Sequence, residues 1–211
     1  MSIYQIEHQE RYSRGELLLR SFFGWLYIDI PHFFILFFLG IWSSILCFIA
    51  WWVVLFTGRY PQSFFEFQVK LFRWNARVYA RLWNLSDDYP AFGLNAQDGK
   101  VTVEVPYPEK LSRGHLLLRT FFGSIYCALP HGFILFFRMI ATCFLMFLAW
   151  WVVLFTGKYP VSFHKFNTGT LRWSFRVGLY LSFMTDTYPP FCGKEIECSC
   201  IKTDVQKPSS E

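Results

Sequence analysis

Two long apolar runs, at residues 21–58 and 120–157, constrain this chain of 211 residues more than any other feature. Each run contains one charged side chain, Asp29 in the first and Arg138 in the second. A helix of about 20 apolar residues crosses the hydrocarbon core of a bilayer, which is ~30 Å thick. Each run exceeds that length, and a soluble core in so short a chain could not cover both. The sequence therefore predicts an integral membrane protein.

The two runs belong to a tandem duplication with a shift of 99 residues. The phrase AWWVVLFTGRYP at residues 50–61 recurs as AWWVVLFTGKYP at residues 149–160. Trp and Tyr favour the headgroup level, cations reach lipid phosphates and glycine ends helices, so this phrase predicts where each repeat leaves the membrane. The predicted organisation is a first membrane repeat at 1–93, a linker with a short strand at 94–110, a second membrane repeat at 111–192 and a polar tail at 193–211, which we expect to be disordered at its end.

The number of membrane crossings per repeat has two interpretations. Either run, of 38 residues, would be about 57 Å long as a straight helix. In one interpretation, the residues before Pro31 lie in the interface and a single helix crosses from there to Phe56. In the other, each run folds into a hairpin with its tip near Leu39-Gly40 or Arg138-Met139. The hairpin places nearly all Lys and Arg residues on one side, as the positive-inside rule favours, so we expect an even number of crossings.

The segment after the first exit phrase, residues 61–90, predicts a basic amphipathic helix. Ser63 and Glu66 match a capping box, which marks a helix start. Because the segment is too charged to span a bilayer, we expect it to lie in the interface with its aromatic face toward lipid. Its apolar residues recur every three or four positions, at Phe64, Phe67, Leu71, Trp74, Val78 and Leu82, beside a cationic stripe of Lys70, Arg73, Arg77 and Arg81.

Short alternating stretches at residues 3–6, 100–105 and 196–201 predict β-strands before, between and after the repeats. The predicted fold is therefore an all-α membrane protein. It is a tandem duplication of a transmembrane segment, as a single span or a hairpin, plus a basic amphipathic interfacial helix, with short β-strands flanking the repeats.

Cations near the predicted interface are candidates for binding lipid headgroups. Two arginines of the amphipathic helix recur in the second repeat, Arg73 as Arg172 and Arg77 as Arg176. Guanidinium forks match phosphate oxygens, which predicts a headgroup clamp. The alternative is a structural ion pair with Asp87 in the first repeat and with Asp186 in the second. With the cations of the exit phrases, the candidates are Arg59, Arg73, Arg77, Lys158, Arg172 and Arg176.

Polar residues inside the apolar runs form a second set of candidates. His32 and His131 occupy equivalent positions after a proline. A histidine at membrane depth could relay protons or bind a metal, and the alternative is that it caps a helix beginning at the proline. Asp29 and Arg138 have no charged counterpart in the other repeat, and they either lie in the interface or pair with each other.

No cofactor or enzymatic activity is predicted. The chain lacks the phosphate-binding, dinucleotide-binding and hydrolase motifs. Cys192, Cys198 and Cys200 are weak candidates for a metal site, because their spacing is not one that zinc sites use. The net charge of +5 is not concentrated on a soluble basic domain, so nucleic acid is not a predicted partner. A basic excess beside apolar runs indicates anionic lipid instead.

Both repeats resemble a family of bacterial membrane proteins built on a domain of unknown function that is often duplicated. The resemblance rests on LFTGRYP, RW..RV and the ending TDTYPPF at residues 185–191, and it covers most of the chain. The first repeat departs at its ending, with Ser86 for Thr and Ala91 for the second Pro. The resemblance implies a multi-pass protein of the bacterial inner membrane and implies no activity.

The expected function is that of a non-enzymatic accessory or scaffold subunit. Such a subunit would bind anionic lipid, shape the bilayer, or support a larger membrane complex or a homo-oligomer. The alternative is a small transporter or channel with a site between the two repeats, since duplicated units often place a site at their interface.

Overall fold

The computed structural model describes residues 2–195 and has two strands and four helices in that range. Helices α1 and α3 coincide with the apolar runs, and each has 44 residues. Both are long and apolar enough to cross a membrane. The elements are β1 (Ile3–Ile6), α1 (Arg14–Thr57), α2 (Gln62–Leu82), β2 (Val101–Glu104), α3 (Arg113–Thr156) and α4 (Val161–Leu181).

Each long helix is continuous through the position where a hairpin was predicted. The backbone passes Gly40 and Arg138 in regular α-helix, so the predicted hairpins are wrong. Five residues before each Pro-His pair form a π-helical turn, Trp25–Asp29 and Ser124–Ala128. Proline lacks the N–H of the helical ladder, and a π-turn is one way in which a helix accommodates such a gap. Because the helix continues on both sides, the predicted cap by His32 is also wrong.

The ends of the long helices follow local sequence. Gly58 and Gly157 adopt left-handed conformations, with φ of 71° and 70°, which glycine reaches without a side-chain clash. The predicted helix stop in each exit phrase is therefore confirmed. At the other end, the hydroxyls of Ser13 and Ser112 accept hydrogen bonds from backbone N–H groups of the first turn.

Helix α2 covers the predicted basic segment but differs from the prediction in two ways. It begins at Gln62 after Pro61, and no side chain within residues 2–195 caps it, so the predicted capping box does not form. Its apolar face packs on the long helix α1, because Leu71, Trp74 and Val78 form one cluster with Leu36 of α1. The predicted contact of this face with lipid is therefore wrong.

The two long helices run in opposite directions and contact each other near both ends. At one end, the N–H of Tyr12 donates to the carbonyl of Gly157 (2.8 Å) and Arg14 donates to that of Phe155. At the other end, Leu111 and Arg113 make the same bonds to Gly58 and Phe56. The start of each long helix therefore lies beside the end of the other.

The strands β1 and β2 pair antiparallel, with Ile3 opposite Glu104, which confirms two of the three predicted strands. The third, at residues 196–201, lies outside the described residues. One face of the sheet is buried on α2 and α4: Arg73 of α2 donates to the carbonyl of Val103 (2.8 Å) and Arg172 of α4 to that of Tyr4 (2.7 Å). The opposite face, with Gln5, Thr102 and Glu104, is exposed.

Candidate functional site

The long helices expose an apolar surface, which we call the apolar belt: the exposed aromatic and aliphatic side chains of residues 22–56 and 121–155. Phe56 and Phe155 are each 70% exposed. Soluble monomers rarely expose contiguous apolar patches above a few hundred Å², so the belt is the main candidate for a binding surface. In α1 the buried positions form one stripe, at Leu17, Arg20, Gly24, Ile28, His32, Leu36, Leu46, Ala50 and Val54.

Cations lie at both ends of the apolar belt. Arg14 is at the start of α1 and Lys158 follows the end of α3, so these two exposed residues share one end of the molecule. Arg59 and Arg113 share the other end in the same way. Exposed cations at the border of an apolar surface are suited to phosphate groups of lipids. We call these four residues the end cations.

Tryptophans join the long helices next to these cations. The indole N–H of Trp51 in α1 donates to the hydroxyl of Thr120 in α3 (2.8 Å). The equivalent Trp150 in α3 donates to Ser21 in α1 at the same distance. Each Trp-Trp pair thus uses one ring to join the two repeats, while Trp52 and Trp151 remain more than 40% exposed.

A half-buried aspartate connects the end of each repeat to the start of its long helix. The carboxylate of Asp87 accepts hydrogen bonds from the backbone N–H of Ser13 (2.6 Å) and from Arg20 (3.2 Å). Asp186 binds Ser112 and Arg119 in the same way. A negative group is also favoured at the N-terminal end of a helix by the helix dipole. We call each set the aspartate anchor of its repeat.

Each repeat encloses a histidine in an aromatic box. The ring of His32 is fully buried and stacks on Phe92, with centroids 4.0 Å apart. Its Nδ1 accepts a hydrogen bond from the indole N–H of Trp74 (2.9 Å), and Tyr89 packs against it. The second repeat forms the same box from His131, Trp173, Tyr188 and Phe191, with the same two distances.

The hydrogen bond from tryptophan determines the chemistry open to these histidines. Because Nδ1 is the acceptor, a neutral ring carries its proton on Nε2. Within residues 2–195, the Nε2 atoms of His32 and His131 have no hydrogen-bond partner. The geometry therefore favours a packing role, because each Nδ1 is occupied by an indole N–H. Proton relay or metal binding by His32 and His131 stays a prediction.

The predicted headgroup arginines of α2 and α4 bind the protein itself. The Arg77 guanidinium donates to the carbonyls of Gly93 (2.8 Å) and Ala96, and Arg176 donates to the carbonyl of Lys194 (3.1 Å). Burial lowers the pKa of Arg77 and Arg176 below the usual range of arginine. Neither residue pairs with Asp87 or Asp186, whose partners are Arg20 and Arg119. Among the predicted headgroup residues, Arg59, Arg73 and Lys158 are exposed, and of these Arg59 and Lys158 lie at the ends of the apolar belt.

Asp29 and Arg138 form no ion pair with each other in the described part of the chain. Arg138 turns onto α4, where it donates to the hydroxyl of Thr170 (2.9 Å) and lies 4.1 Å from the ring centroid of Phe166. A Cβ on Gly169 would lie only 3.0 Å from the Arg138 guanidinium. The first repeat has Leu39 and Lys70 at the positions equivalent to Arg138 and Gly169. At these equivalent positions the cation is on the short helix in the first repeat and on the long helix in the second.

The predicted metal site is only partly described. Cys192 is half-buried and free, and no cluster of metal-binding side chains occurs in residues 2–195. Cys198 and Cys200 lie outside the described residues. The metal site therefore stays a weak prediction.

The aspartate anchors and the partners of each histidine were missed by sequence reasoning. Arg20 and Arg119 were not among the predicted site residues, although they are equivalent at the shift of 99 residues, as are the two aspartates. The same shift relates every residue of the two aromatic boxes. Recurrence of a polar or aromatic residue in both repeats was thus the signal that could have identified these sites.

One buried histidine makes stability depend on pH. His164 in α4 is 2% exposed and packs edge-on against His8 and Tyr159. Burial, with a smaller effect of His8, lowers the pKa of His164 to about 4. The folded state therefore binds this proton more weakly than the unfolded state, whose histidine has a pKa of 6.5. We expect the free energy of unfolding to fall as the pH drops from 6.5 to 4, by at most about 3 kcal/mol.

The control for this prediction is the equivalent residue of the first repeat, which is Phe65. The variant His164→Phe should lose the part of the pH dependence that His164 causes. Chemical unfolding at pH 7.0 and at pH 4.5, followed by circular dichroism, measures it. An equal loss of stability in the variant and in the unaltered protein would contradict the assignment to His164.

Comparison with known families identifies the repeat. The family model described as Domain of unknown function (DUF4389) matches the chain twice, at residues 19–93 and 116–193. Comparisons with curated proteins and with solved structures give no match. The two matched regions cover most of the chain, and each contains one aromatic box. The chain therefore belongs to the family defined by this domain of unknown function and carries two copies of the domain.

Proposed function

We propose that this protein is a non-enzymatic membrane scaffold. In this proposal the apolar belt is immersed in acyl chains, and the end cations bind anionic headgroups. The two long helices, held together at both ends, then act as a stiff body that shapes the bilayer or supports a larger complex. The observation that carries the proposal is the apolar belt. Each long helix buries only one stripe of its surface against the protein, so the rest of its apolar surface is exposed.

The contacts of the described residues support a stiff scaffold. Backbone and tryptophan hydrogen bonds join α1 and α3 at both ends. The aspartate anchors and aromatic boxes then attach the rest of each repeat to its long helix. Fully burying one large apolar side chain is worth roughly 1.5–3 kcal/mol, so lipid contact along the apolar belt would be strongly favourable.

The transporter alternative gains no support from the geometry of the polar residues in the long helices. Ser43 donates to Gln68 of α2, and Ser44 donates to the carbonyl of Gly40 in its own helix. Thr142 shares a hydrogen bond with Thr170 of α4. These side chains are occupied within the protein and do not form a polar path between the repeats.

The proposal is tested with purified protein diluted from detergent into vesicles. We expect the protein to float with vesicles and, at high density, to convert anionic vesicles into tubules visible by electron microscopy. Near an anionic surface each cation contributes about 1 kcal/mol. The double variant Arg59→Gln, Lys158→Gln should therefore bind anionic vesicles roughly thirtyfold more weakly.

The matched control changes the same two side chains but keeps their charge. The double variant Arg59→Lys, Lys158→Arg should bind anionic vesicles as the unaltered protein does. Spherical vesicles at high protein density would contradict bilayer shaping. Protein that stays in the aqueous phase as a monodisperse species without detergent would contradict membrane association itself. Location in a bacterial inner membrane stays a prediction, which fractionation of cell membranes would check.

A further inference from the structure

We propose that the protein lies in the plane of one leaflet instead of crossing the bilayer. The long helices α1 and α3 run along the membrane among the acyl chains of that leaflet. Helices α2 and α4 lie at headgroup level, and the exposed face of the sheet meets water. This inference rests on the proposed membrane association, and it replaces the multi-pass insertion predicted from the sequence.

The first observation is that α2 accompanies α1 along most of its length. Tyr60, just before α2, contacts Cys47 near the end of α1. Further along, three side-chain hydrogen bonds join the two helices. They link Gln68 with Ser43, Trp74 with His32, and Arg81 with Tyr27, which lies near the start of α1. If α1 stood perpendicular to the membrane, α2 would therefore occupy the same depth range as the hydrocarbon core.

The second observation is the charge on α2. The side chain of Glu66 is exposed and that of Lys70 is half-buried, and neither forms an ion pair in the described part of the chain. The sheet packs against α2, and its outer face carries Glu104. Charged side chains at hydrocarbon depth are rare and normally paired or turned to water. A perpendicular α1 would place these groups in the hydrocarbon, whereas an in-plane α1 leaves them on the aqueous side.

The third observation is the position of the end cations. Because α1 and α3 run in opposite directions, Arg14 and Lys158 share one end of the molecule, while Arg59 and Arg113 share the other. A spanning arrangement would divide these cations two and two between the membrane faces, without the excess on one face that spanning proteins show. An in-plane arrangement collects all four in one layer of headgroups, where they complement anionic lipid.

Helix length agrees with this orientation. A helix of 44 residues is about 66 Å long, more than twice the ~30 Å of the hydrocarbon core. Interfacial helices bury their apolar face ~5–10 Å deep in one leaflet, which matches the thickness of one helix. The occupant of the apolar belt is therefore the upper acyl-chain region of a single leaflet.

The test places matched reporters at the two ends of the molecule. Glu10 precedes the start of α1 and Glu109 precedes the start of α3; both are exposed and occupy equivalent positions in the two repeats. Each is replaced by cysteine, one at a time, in a variant without the native cysteines. Right-side-out and inverted membrane vesicles are then treated with a membrane-impermeant maleimide. We expect Glu10→Cys and Glu109→Cys to react in the same preparation and not in the other.

A third reporter separates failure of this inference from failure of the proposed function. Phe37 is 64% exposed in the middle of α1, and Phe37→Cys should remain unreactive in both preparations. Reaction of Glu10→Cys and Glu109→Cys in opposite preparations would overturn the in-plane arrangement and leave membrane association intact. Full reaction of Phe37→Cys, with protein released from the vesicles, would overturn both.

The unaltered protein provides a second measurement if the variant without cysteines fails to fold. Arg11 and Lys110 are exposed, equivalent in the two repeats, and situated at opposite ends of the molecule. Trypsin added to the same two preparations should cleave after both residues in one preparation and after neither in the other. Cleavage after one residue in each preparation would contradict the in-plane arrangement.

Discussion

Replacing Asp87 by alanine is expected to lower the free energy of unfolding by about 3 kcal/mol. The substitution leaves the Arg20 guanidinium, whose side chain is 4% exposed, without its carboxylate partner. It also removes the acceptor for the N–H of Ser13, at the first turn of the long helix. A buried charge that loses its partner is far more costly than an exposed one. Denaturant unfolding in detergent micelles, followed by circular dichroism, measures the effect.

The neighbouring residue provides a matched control. Asp88 pairs with Lys100, but the side chains are 50% and 29% exposed, so Asp88→Ala should change stability by no more than ~0.5 kcal/mol. In the second repeat, Asp186→Ala should resemble Asp87→Ala, because Asp186 holds Arg119 and Ser112. Equal losses for Asp87→Ala and Asp88→Ala would show that the aspartate anchor does not stabilise the fold.

Removing the tryptophan of one aromatic box is expected to have an effect of similar size. In Trp74→Ala, the box loses a buried indole and leaves a cavity beside His32, which typically costs about 3–5 kcal/mol. Trp74→Phe keeps most of the volume but leaves the Nδ1 of His32 without its donor. A buried polar atom that loses its partner costs about 1–3 kcal/mol. The same unfolding measurement separates packing from hydrogen bonding.

The control for Trp74 is a tryptophan of the apolar belt. Trp42 is 51% exposed, so Trp42→Phe should leave stability in micelles nearly unchanged. The double variant His32→Phe, Trp74→Phe removes both partners of the hydrogen bond and should recover part of the loss of Trp74→Phe, since no polar atom is then left unpaired. Full additivity of the two single substitutions would contradict an energetic coupling between these side chains.

Local sequence patterns predicted the helices and strands, because the formation of a helix or strand depends mainly on residues that are close together in the chain. The apolar runs became α1 and α3, and Gly58 and Gly157 end them as the exit phrases indicated. The alternation at residues 100–105 produced β2, which pairs with β1. The prediction of hairpins was wrong because neither apolar run contains a clear turn signal near its middle. A continuous helix through Arg138 satisfies the backbone hydrogen bonds without a turn.

The site was predicted only in part, since its contacts join residues that are far apart in the chain. Arg20 and Asp87 are 67 positions apart, and no pattern within either segment indicates that they meet. Arg77 was a candidate for lipid headgroups because its position on a basic helix is typical of the interface. Its carbonyl partners, Gly93 and Ala96, lie in a loop whose path depends on the packing of α2.

By itself, the sequence determined that the chain is a duplication with two long apolar helices, because repetition and hydrophobicity are properties of the residues alone. Only the tertiary structure decided that the helices run in opposite directions, that α2 packs along α1, and that Arg77 and Arg81 of α2 are buried. Those features follow from packing between segments that are distant in the chain. The partner of each apolar face and of each buried charge is known only once the whole chain has folded.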